Sequence, residues 1–507
     1  MSGSDLASGA SDLLADVGVL LQDARAAAPD PTSVAVIDQS LRRIGEPLRV
    51  AIAGRVKAGK STLLNALVGD ELAPTDAGEC TKLVTWYRHG LNYRVDLFPR
   101  SGPGRECAFR RSPALEIDLG DTPAADIDHL VVSWPTARLE EVTLVDTPGI
   151  GSISTDMAAR TYDFLADDEP SAADAVLYLL RHLHGTDVRF LEAFHDDDMV
   201  SGTPVNAVGV LSRADEIGGC RLGAKEAAGR VAERYQADER VRQLCRMVVP
   251  VTGLLAQAGM TLREDEFRQL ASIVADTRFD IVDLALTADR FMAPDVDLEV
   301  PFEVRRGLLA RLGLFGVRLS LDLIQRRLAA SSSELAAELV RRSGISELRQ
   351  VFTAQLTGRR DALKARSSLA ALTALVREPS WEDTSYWLGR VERIMSGAHE
   401  IVEIQLLSEL WIGAVPVRDE DQEAEMARLL GGDGMGRHAR LGLPVEASDD
   451  EQRDAALVAL RRWLSVAEHP LSPGPLREAA RAVARSCEGI VASLAVAGPP
   501  EVRGWGP

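Results

Sequence analysis

The sequence predicts an α/β domain with a mostly parallel sheet, followed by an all-α region. Three observations carry this. Between residues 48 and about 290, short apolar runs of strand length alternate with amphipathic helical stretches. From Phe302 onward strand signals largely vanish and long helical periodicities take over. Between them, Met292-Ala-Pro-Asp-Val-Asp-Leu-Glu-Val-Pro301 reads as a linker.

In chain order, Leu13–Leu21 and Val34–Ile44, separated by Pro29 and Pro31, read as one or two helices ending near Gly45. Leu48–Ala53 is an apolar strand running into Gly54-Arg-Val-Lys57-Ala-Gly59-Lys60-Ser61, and Thr62–Val68 opens an amphipathic helix. A strand, a Gly-x-x-x-x-Gly-Lys-Ser loop and a helix form a phosphate-binding P-loop. Backbone N–H groups turn inward and the helix N-terminus adds its positive dipole end. Lys60 is then the cation for the β and γ phosphates, Ser61 a Mg²⁺ ligand, and Gly54, Gly59 and Thr62 part of the nucleotide cradle.

A loop after this helix must bring a Thr to the metal. Thr81 is the choice, just before the strand Leu83–Tyr87, with Thr75 and Thr85 as alternatives. Further strands are predicted at Tyr93–Phe98, Leu130–Trp134 and Ala175–Leu180, whereas Pro99–Pro123 is a Gly/Pro/Arg-bearing insertion with no assigned element. Val142-Thr-Leu-Val-Asp146-Thr-Pro-Gly149 is a buried strand ending in an acid that reaches Mg²⁺ through water and a glycine whose N–H serves the γ-phosphate. Val205–Asp215 is another, ending in Ser212-Arg213-Ala214-Asp215 where GTP-binding proteins carry Asn/Thr-Lys-x-Asp. A carboxylate at Asp215 pairs with the guanine N1–H and 2-amino group, which adenine lacks, and Arg213 can lay its stem or guanidinium over the base. Val248-Val-Pro-Val-Thr252-Gly253 ends a last strand whose backbone, at Thr252, faces the guanine O6. The ligand predicted is therefore GTP with Mg²⁺. The Gln that orients water in many GTPases is missing after Gly149, so hydrolysis would depend on another group.

The expected domains are 1–47, N-terminal helices packing with the helical region; 48–291, the nucleotide-binding domain; 302–497, a helical neck and trunk; and 498–507, a flexible tail. Helical patterns cover roughly 303–330, 332–376, 381–413, 420–431, 449–468 and 473–497. Two Gly-interrupted apolar segments, Leu312–Leu319 and Trp411–Val417, are either core or shallow lipid-inserting elements. If the second is the tip of the stalk, Trp411 and Ile412 are its membrane anchors, and Gly431–Arg440 is a rival tip.

Composition narrows the class. A net charge of −19 over 507 residues argues against nucleic acid. Thirteen Lys/Arg nevertheless face six Asp/Glu between Glu303 and Arg366, which points either to an acidic partner or to pairing with neighbouring helices. Five cysteines with no Cys-x-x-Cys and an odd thiol suit a reducing compartment. Residues 1–28 lack a basic start and a cleavable apolar core, and no 18-residue apolar run occurs, so neither a secretory signal nor a membrane span is expected.

The P-loop lysine at Lys57, the motif order, the missing Gln, and stretches such as Asn65-Ala-Leu-Val-Gly-Asp70, Ser212-Arg-Ala-Asp-Glu-Ile-Gly218 and Ala467-Glu-His-Pro-Leu471 resemble the dynamin superfamily. The similarity is closest to its bacterial dynamin-like members and runs from about residue 10 to 495. The resemblance implies a dynamin-type GTPase domain on a helical neck and stalk, hydrolysis of GTP with Mg²⁺, and remodelling or scaffolding of the cytoplasmic membrane from its inner face. An anionic lipid contact at the stalk tip, and a homo-oligomer or a hetero-oligomer with a sister protein, follow from the same source. Dynamins place Gln-Ser where Val56 and Lys57 stand. Lys57 is then either a second cation over the γ-phosphate, one that bridges a dimer, or a solvated loop lysine. A different class of reading is a slow GTP-binding switch or assembly partner that does not touch lipid.

Overall fold

Leu48, Val50 and Ile52 face one side of the first strand, Ala51 and Ala53 the other, and all are fully buried. A strand covered on both faces belongs inside a parallel sheet. The computed structural model describes residues 7–70, 72–73, 83–111, 115–148, 173–181, 206–238, 240–241, 245, 247–293 and 298–496. Its strands are β1 (Leu48–Gly54), β2 (Val84–His89), β3 (Arg94–Pro99), β4 (Arg105–Glu106), β5 (Phe109–Arg111), β6 (Leu115–Ile117), β7 (Ile127–Trp134), β8 (Val142–Asp146), β9 (Ala175–Leu180), β10 (Ala207–Ser212) and β11 (Val248–Val251). Nine of them form one sheet in the order β11-β10-β9-β1-β8-β2-β7-β3-β4. The five strands from the β11 edge to β8 are mutually parallel; β2 enters antiparallel to β8 and pairs in parallel with β7. The insertion 99–123, whose pattern predicts no element, supplies the edge strand β4 and a separate β5–β6 hairpin.

The helices are α1 (Ala7–Ala27), α2 (Pro31–Gly45), α3 (Lys60–Val68), α4 (Ala224–Ala237), α5 (Gly253–Met260), α6 (Glu264–Ala275), α7 (Phe302–Gln325), α8 (Ser332–Arg342), α9 (Ile345–Gln355), α10 (Arg360–Val376), α11 (Thr384–Gly397), α12 (His399–Trp411), α13 (Glu420–Leu429), α14 (Arg437–Leu441), α15 (Asp449–Glu468) and α16 (Gly474–Val496), with two single-turn helices at Ile281–Leu284 and Ala288–Phe291. Asp30 caps α2 by accepting from the Ser33 N–H, with Pro31 in the first turn. Leu13, Val17, Leu20, Leu21 and Ala24 make one stripe of α1 and bury it in a cluster that includes Leu369, Leu372 and Val376 of α10. Arg390 of α11 reaches the exposed Asp23 of α1 at 2.7 Å.

The helical pattern over 332–376 resolves into α8, α9 and α10. Gly344 breaks it with φ +79°, and a Cβ there would lie 2.1 Å from the Pro250 carbonyl. Only glycine lets the chain turn that close to the end of β11. Leu312, Phe315, Val317 and Leu319 are buried with Leu255, Leu270 and Phe291, so the apolar segment of α7 is core and not a lipid contact. The cations of 303–366 are spent largely within the chain. Arg305 bonds the Phe291 carbonyl, Arg311 pairs with Glu266, Arg341 and Arg342 share Glu338, and Lys364 reaches the carbonyls of Ile44 and Glu46. Most of these cations are thus engaged by carboxylates and carbonyls of the same chain, as the second of the two readings expects.

Helices α12, α13, α15 and α16 form a distal bundle around Leu407, Met426, Trp463 and Val483. The segment 431–440 does not lie at its far end. Gln355 and Arg359 bond the carbonyls of Gly432, Leu430 and Gly431, and Arg440 is buried, which fixes this loop against the junction of α9 and α10. At the opposite end stand the turns after Trp411 and after Glu468. Trp411 packs on the bundle core, Ile412 is 39% exposed and Leu471 is 86% exposed. Among the described residues no helix is long and apolar enough to cross a membrane.

Candidate functional site

The C-terminal ends of β1, β8, β10 and β11 lie along one edge of the sheet, the edge at which α/β folds bind ligands. β1 stops at Gly54, whose φ of +146° and a Cβ contact of 2.8 Å to the Leu179 carbonyl exclude a side chain. The loop then passes through Lys57, exposed and held at φ +63°, and Gly59 at φ +92°, before α3 begins with Lys60. A lysine in the left-handed region is backbone strain of the kind that collects at functional loops.

Lys60 Nζ donates to the Gly54 carbonyl at 3.1 Å and lies near that of Arg55 at 3.4 Å, folded over the loop where phosphate oxygens would sit. Burial pushes its ammonium pKa down, against the pull of Asp146. Register places Asp146 beside Ile52, so the β8 carboxylate reaches the start of α3, where Ser61 Oγ donates to Asp146 Oδ2 at 3.0 Å. Asp146 Oδ1 is buried with no hydrogen-bond partner among the described residues. Burial raises the Asp146 carboxyl, and Lys60 and Ser61 offset it only in part. A hydroxyl and an unsatisfied carboxylate oxygen, both hard donors, fit a magnesium ion. Thr85 is buried opposite Asp146 in the β2–β8 register; Thr75, Thr81 and Gly149 lie outside the described residues.

On the base side, Asp215 sits in a single turn of 3₁₀ helix after β10. Burial raises its carboxyl, and the Thr252 side chain, hydrogen-bonded to it, works in the opposite direction. The fold thus brings Asp215 and Thr252 together. Ser212 turns away, donating to the Leu180 carbonyl at 3.2 Å inside the core. Arg213, at φ +53°, directs its guanidinium to Glu216 at 2.7 Å, and Arg181 takes the same carboxylate at 2.5 Å. In this arrangement Arg213 is held by Glu216 and not by an open base site. The two halves touch where Gly253 meets Thr62, a Cβ there lying 3.4 Å from Thr62 Cγ2.

Motif reading missed three arginines that hold this site from outside. Arg318 of α7 donates to the carbonyls of Cys220 at 2.6 Å, Gly219 at 3.1 Å, Ala285 at 2.6 Å, and Leu286, pinning the loop that follows Asp215. Arg138 and Arg349 cap the C-terminal carbonyls of α3. The cation excess of 303–366 was the one visible signal for two of them. Trp411 and Ile412 belong to the far end of the distal bundle and take no part here.

Residues 50–198 match the dynamin family. The isoniazid-induced protein IniC of Mycobacterium tuberculosis is 39% identical over 462 residues, spanning 90% of this chain and 92% of that one. The isoniazid-induced protein IniA of the same organism is 30% identical over 148 residues, 28% of this chain and 22% of its own. A bacterial dynamin-like protein of Nostoc punctiforme is 31% identical over 114 residues, 20% of this chain and 16% of its own. Among solved structures, a chain of an oligomerised bacterial dynamin pair aligns over 97% of this chain and 80% of that one, with 13% identity and a TM-score of 0.31. With a P-loop, an acid-ended second strand and a relative matched along nearly its whole length, the chain belongs to the dynamin family, as a bacterial dynamin-like protein related to IniC.

Proposed function

We propose that the protein binds GTP with Mg²⁺, hydrolyses it, and couples the cycle to remodelling or scaffolding of the cytoplasmic membrane at its inner face. The observation that carries the nucleotide reading is the trio at the end of β1 and β8. Lys60 rests on the loop carbonyls, Ser61 bonds Asp146 at 3.0 Å, and Asp146 keeps one buried oxygen without a partner among the described residues. Ser61 and Asp146, joined by Thr81, would hold the metal, which supplies charge neutralisation between the β and γ phosphates. Lys60 exchanges its carbonyl contacts for phosphate oxygens, and the amides ahead of α3 orient the chain of phosphates for in-line attack. Asp215 accepts the guanine N1–H and 2-amino group; Thr252 keeps that carboxylate in place. Lys57, exposed on the strained loop, is the cation placed to stabilise charge on the γ-phosphoryl group.

Family membership supports the membrane step, and Ile412 beside the half-buried Trp411 is the contact proposed for anionic lipid. Assembly with a second copy or with a sister protein such as an IniA relative belongs to the same reading. A slow switch or assembly partner without lipid binding is favoured by one feature: Val56, where dynamins carry Gln, has no polar atom to orient water, although it is 45% exposed on the loop. GTP turnover by the wild type beside Lys60→Ala, across protein concentrations and with anionic liposomes, separates the two. Turnover that climbs with concentration or lipid and vanishes in the variant supports the first; flat, slow turnover with tight GTP binding supports the second.

A further inference from the structure

A cleft of about 490 Å³ opens where the start of α10 meets the distal bundle. One wall is Thr357–Ala362; the others come from α12, the Gly-rich segment before α14, and the middle of α16. Five arginines line it, 359, 360, 437, 440 and 485, in a protein whose overall charge is −19.

Their partners leave hydrogen-bond donors in surplus. Arg440 is committed to Glu403 and to the Leu429 carbonyl. Arg359 is buried and donates to the carbonyls of Leu430 and Gly431, but its Nε has no acceptor among the described residues. Arg360 meets Glu141 and Asp361 only at 3.4 and 3.3 Å, and Arg437 meets Asp449 only at 3.5 Å, lengths beyond those of strong charge-assisted bonds. Arg485 is exposed and has no ion-pair partner among the described residues. The remaining acid in the lining is Glu400, whose carboxyl is pushed up by burial and then by the carboxylates of Glu403 and Asp361.

We propose that this cleft binds a phosphate-bearing small molecule or headgroup, held between Arg360 on α10 and Arg437 and Arg485 on the bundle. Planar guanidinium forks match phosphate oxygens in pairs, and the volume falls in the range that takes a whole small ligand. Because the arginines come from separate elements, the bound anion staples α10 to α14 and α16 and fixes the angle of the bundle. The site is remote from the P-loop, and its occupancy does not depend on the nucleotide reading.

The test is titration of the full-length chain with inorganic pyrophosphate in saturating GDP and Mg²⁺, which keeps the P-loop occupied. Binding should appear by calorimetry with a rise in melting temperature, and Arg437→Gln with Arg485→Gln should weaken it about a hundredfold, roughly tenfold for each lost charge-assisted contact. Arg485→Glu, at an exposed and unpaired position, tests the same site without risk to the fold, and its melting temperature without pyrophosphate should match the wild type. Vesicles of phosphatidylcholine with phosphatidic acid distinguish the source. Co-sedimentation lost in Arg485→Glu assigns the phosphate to a lipid headgroup; pyrophosphate binding without co-sedimentation assigns a soluble ligand. Equal binding by wild type and Arg485→Glu, or no binding of either probe, overturns the proposal.

Discussion

Arg349 Nη2 donates to the Ala66 carbonyl at 2.7 Å, joining a helix outside the sheet to the last turn of the helix that begins with Lys60 and Ser61. The final carbonyls of a helix lack intrahelical partners and carry partial negative charge, so a cation there both satisfies and complements them. Arg138 does the same for Val68 at 2.8 Å. Arg349→Met should cost about 1.5–3 kcal/mol, the range for hydrogen bonds from a charged donor. A lower urea midpoint and weaker nucleotide binding would show it, and Arg349→Lys should recover part of both. Unchanged binding alongside lost stability would mean that α9 supports the fold without bearing on the P-loop.

Asp146 makes the proposed metal site sensitive to acid. Its folded carboxyl is raised by burial above the unfolded value, so the ionised form costs stability in the metal-free protein as pH rises through the folded value. Magnesium binding needs that ionised form and should be lost on the acid side at a higher pH than an ordinary aspartate allows, by about tenfold for each pH unit below the midpoint. Raising Mg²⁺ should move the midpoint of GTP turnover back toward acid. Asp146→Asn should abolish metal-dependent turnover and yet raise the melting temperature of the metal-free protein, because the buried charge is gone.

The apolar strands and the P-loop were legible because each is local. Alternation at Leu48–Ala53 and the spacing from Gly54 to Ser61 determine the geometry within one strand and one turn. Gly344 was not legible as a break, since its reason is the Pro250 carbonyl of a strand more than ninety residues earlier. Arg213 stands where its motif suggests a base contact; here its guanidinium pairs with Glu216 three residues on, and only the second arginine on that carboxylate, Arg181, comes from a distant segment that spacing does not reveal. The role of Arg318 depends on four carbonyls from two distant segments, and no spacing within α7 encodes that.

Glu403 shows a buried charge held by its neighbours. Burial alone would raise its carboxyl; Arg440, His399 and Ser486 outweigh that and hold it at about 2. The folded value lies below the ordinary 4.5, so the contribution is fully present above about pH 4.5 and is lost as pH falls through 2. The difference corresponds to about 3 kcal/mol. Glu403→Gln should therefore destabilise the protein by about that amount at pH 7 and flatten the acid limb of its stability curve, as urea unfolding at pH 7 and at acid pH would measure. An equal loss in wild type and variant between those pH values would show that Glu403 titrates normally.

Arg318 should separate base recognition from chemistry. Its guanidinium holds Gly219 and Cys220 on one side and Ala285 and Leu286 on the other. Gly218, Gly219 and Cys220 all have positive φ, a conformation glycine adopts freely but one that strains the backbone at Cys220, whose carbonyl Arg318 holds. Lys60, Ser61 and Asp146 do not touch it. Arg318→Met should raise the KM for GTP roughly tenfold, about 1.4 kcal/mol, while kcat at saturation stays close to wild type. Discrimination against ATP should shrink with it, because a loosened Asp215 no longer imposes an unpaired carboxylate on adenine. Arg318→Lys keeps the charge but not the fork, and should fall between the two. A variant that loses kcat and leaves KM unchanged would place Arg318 in the path from α7 to the phosphates and not in base selection.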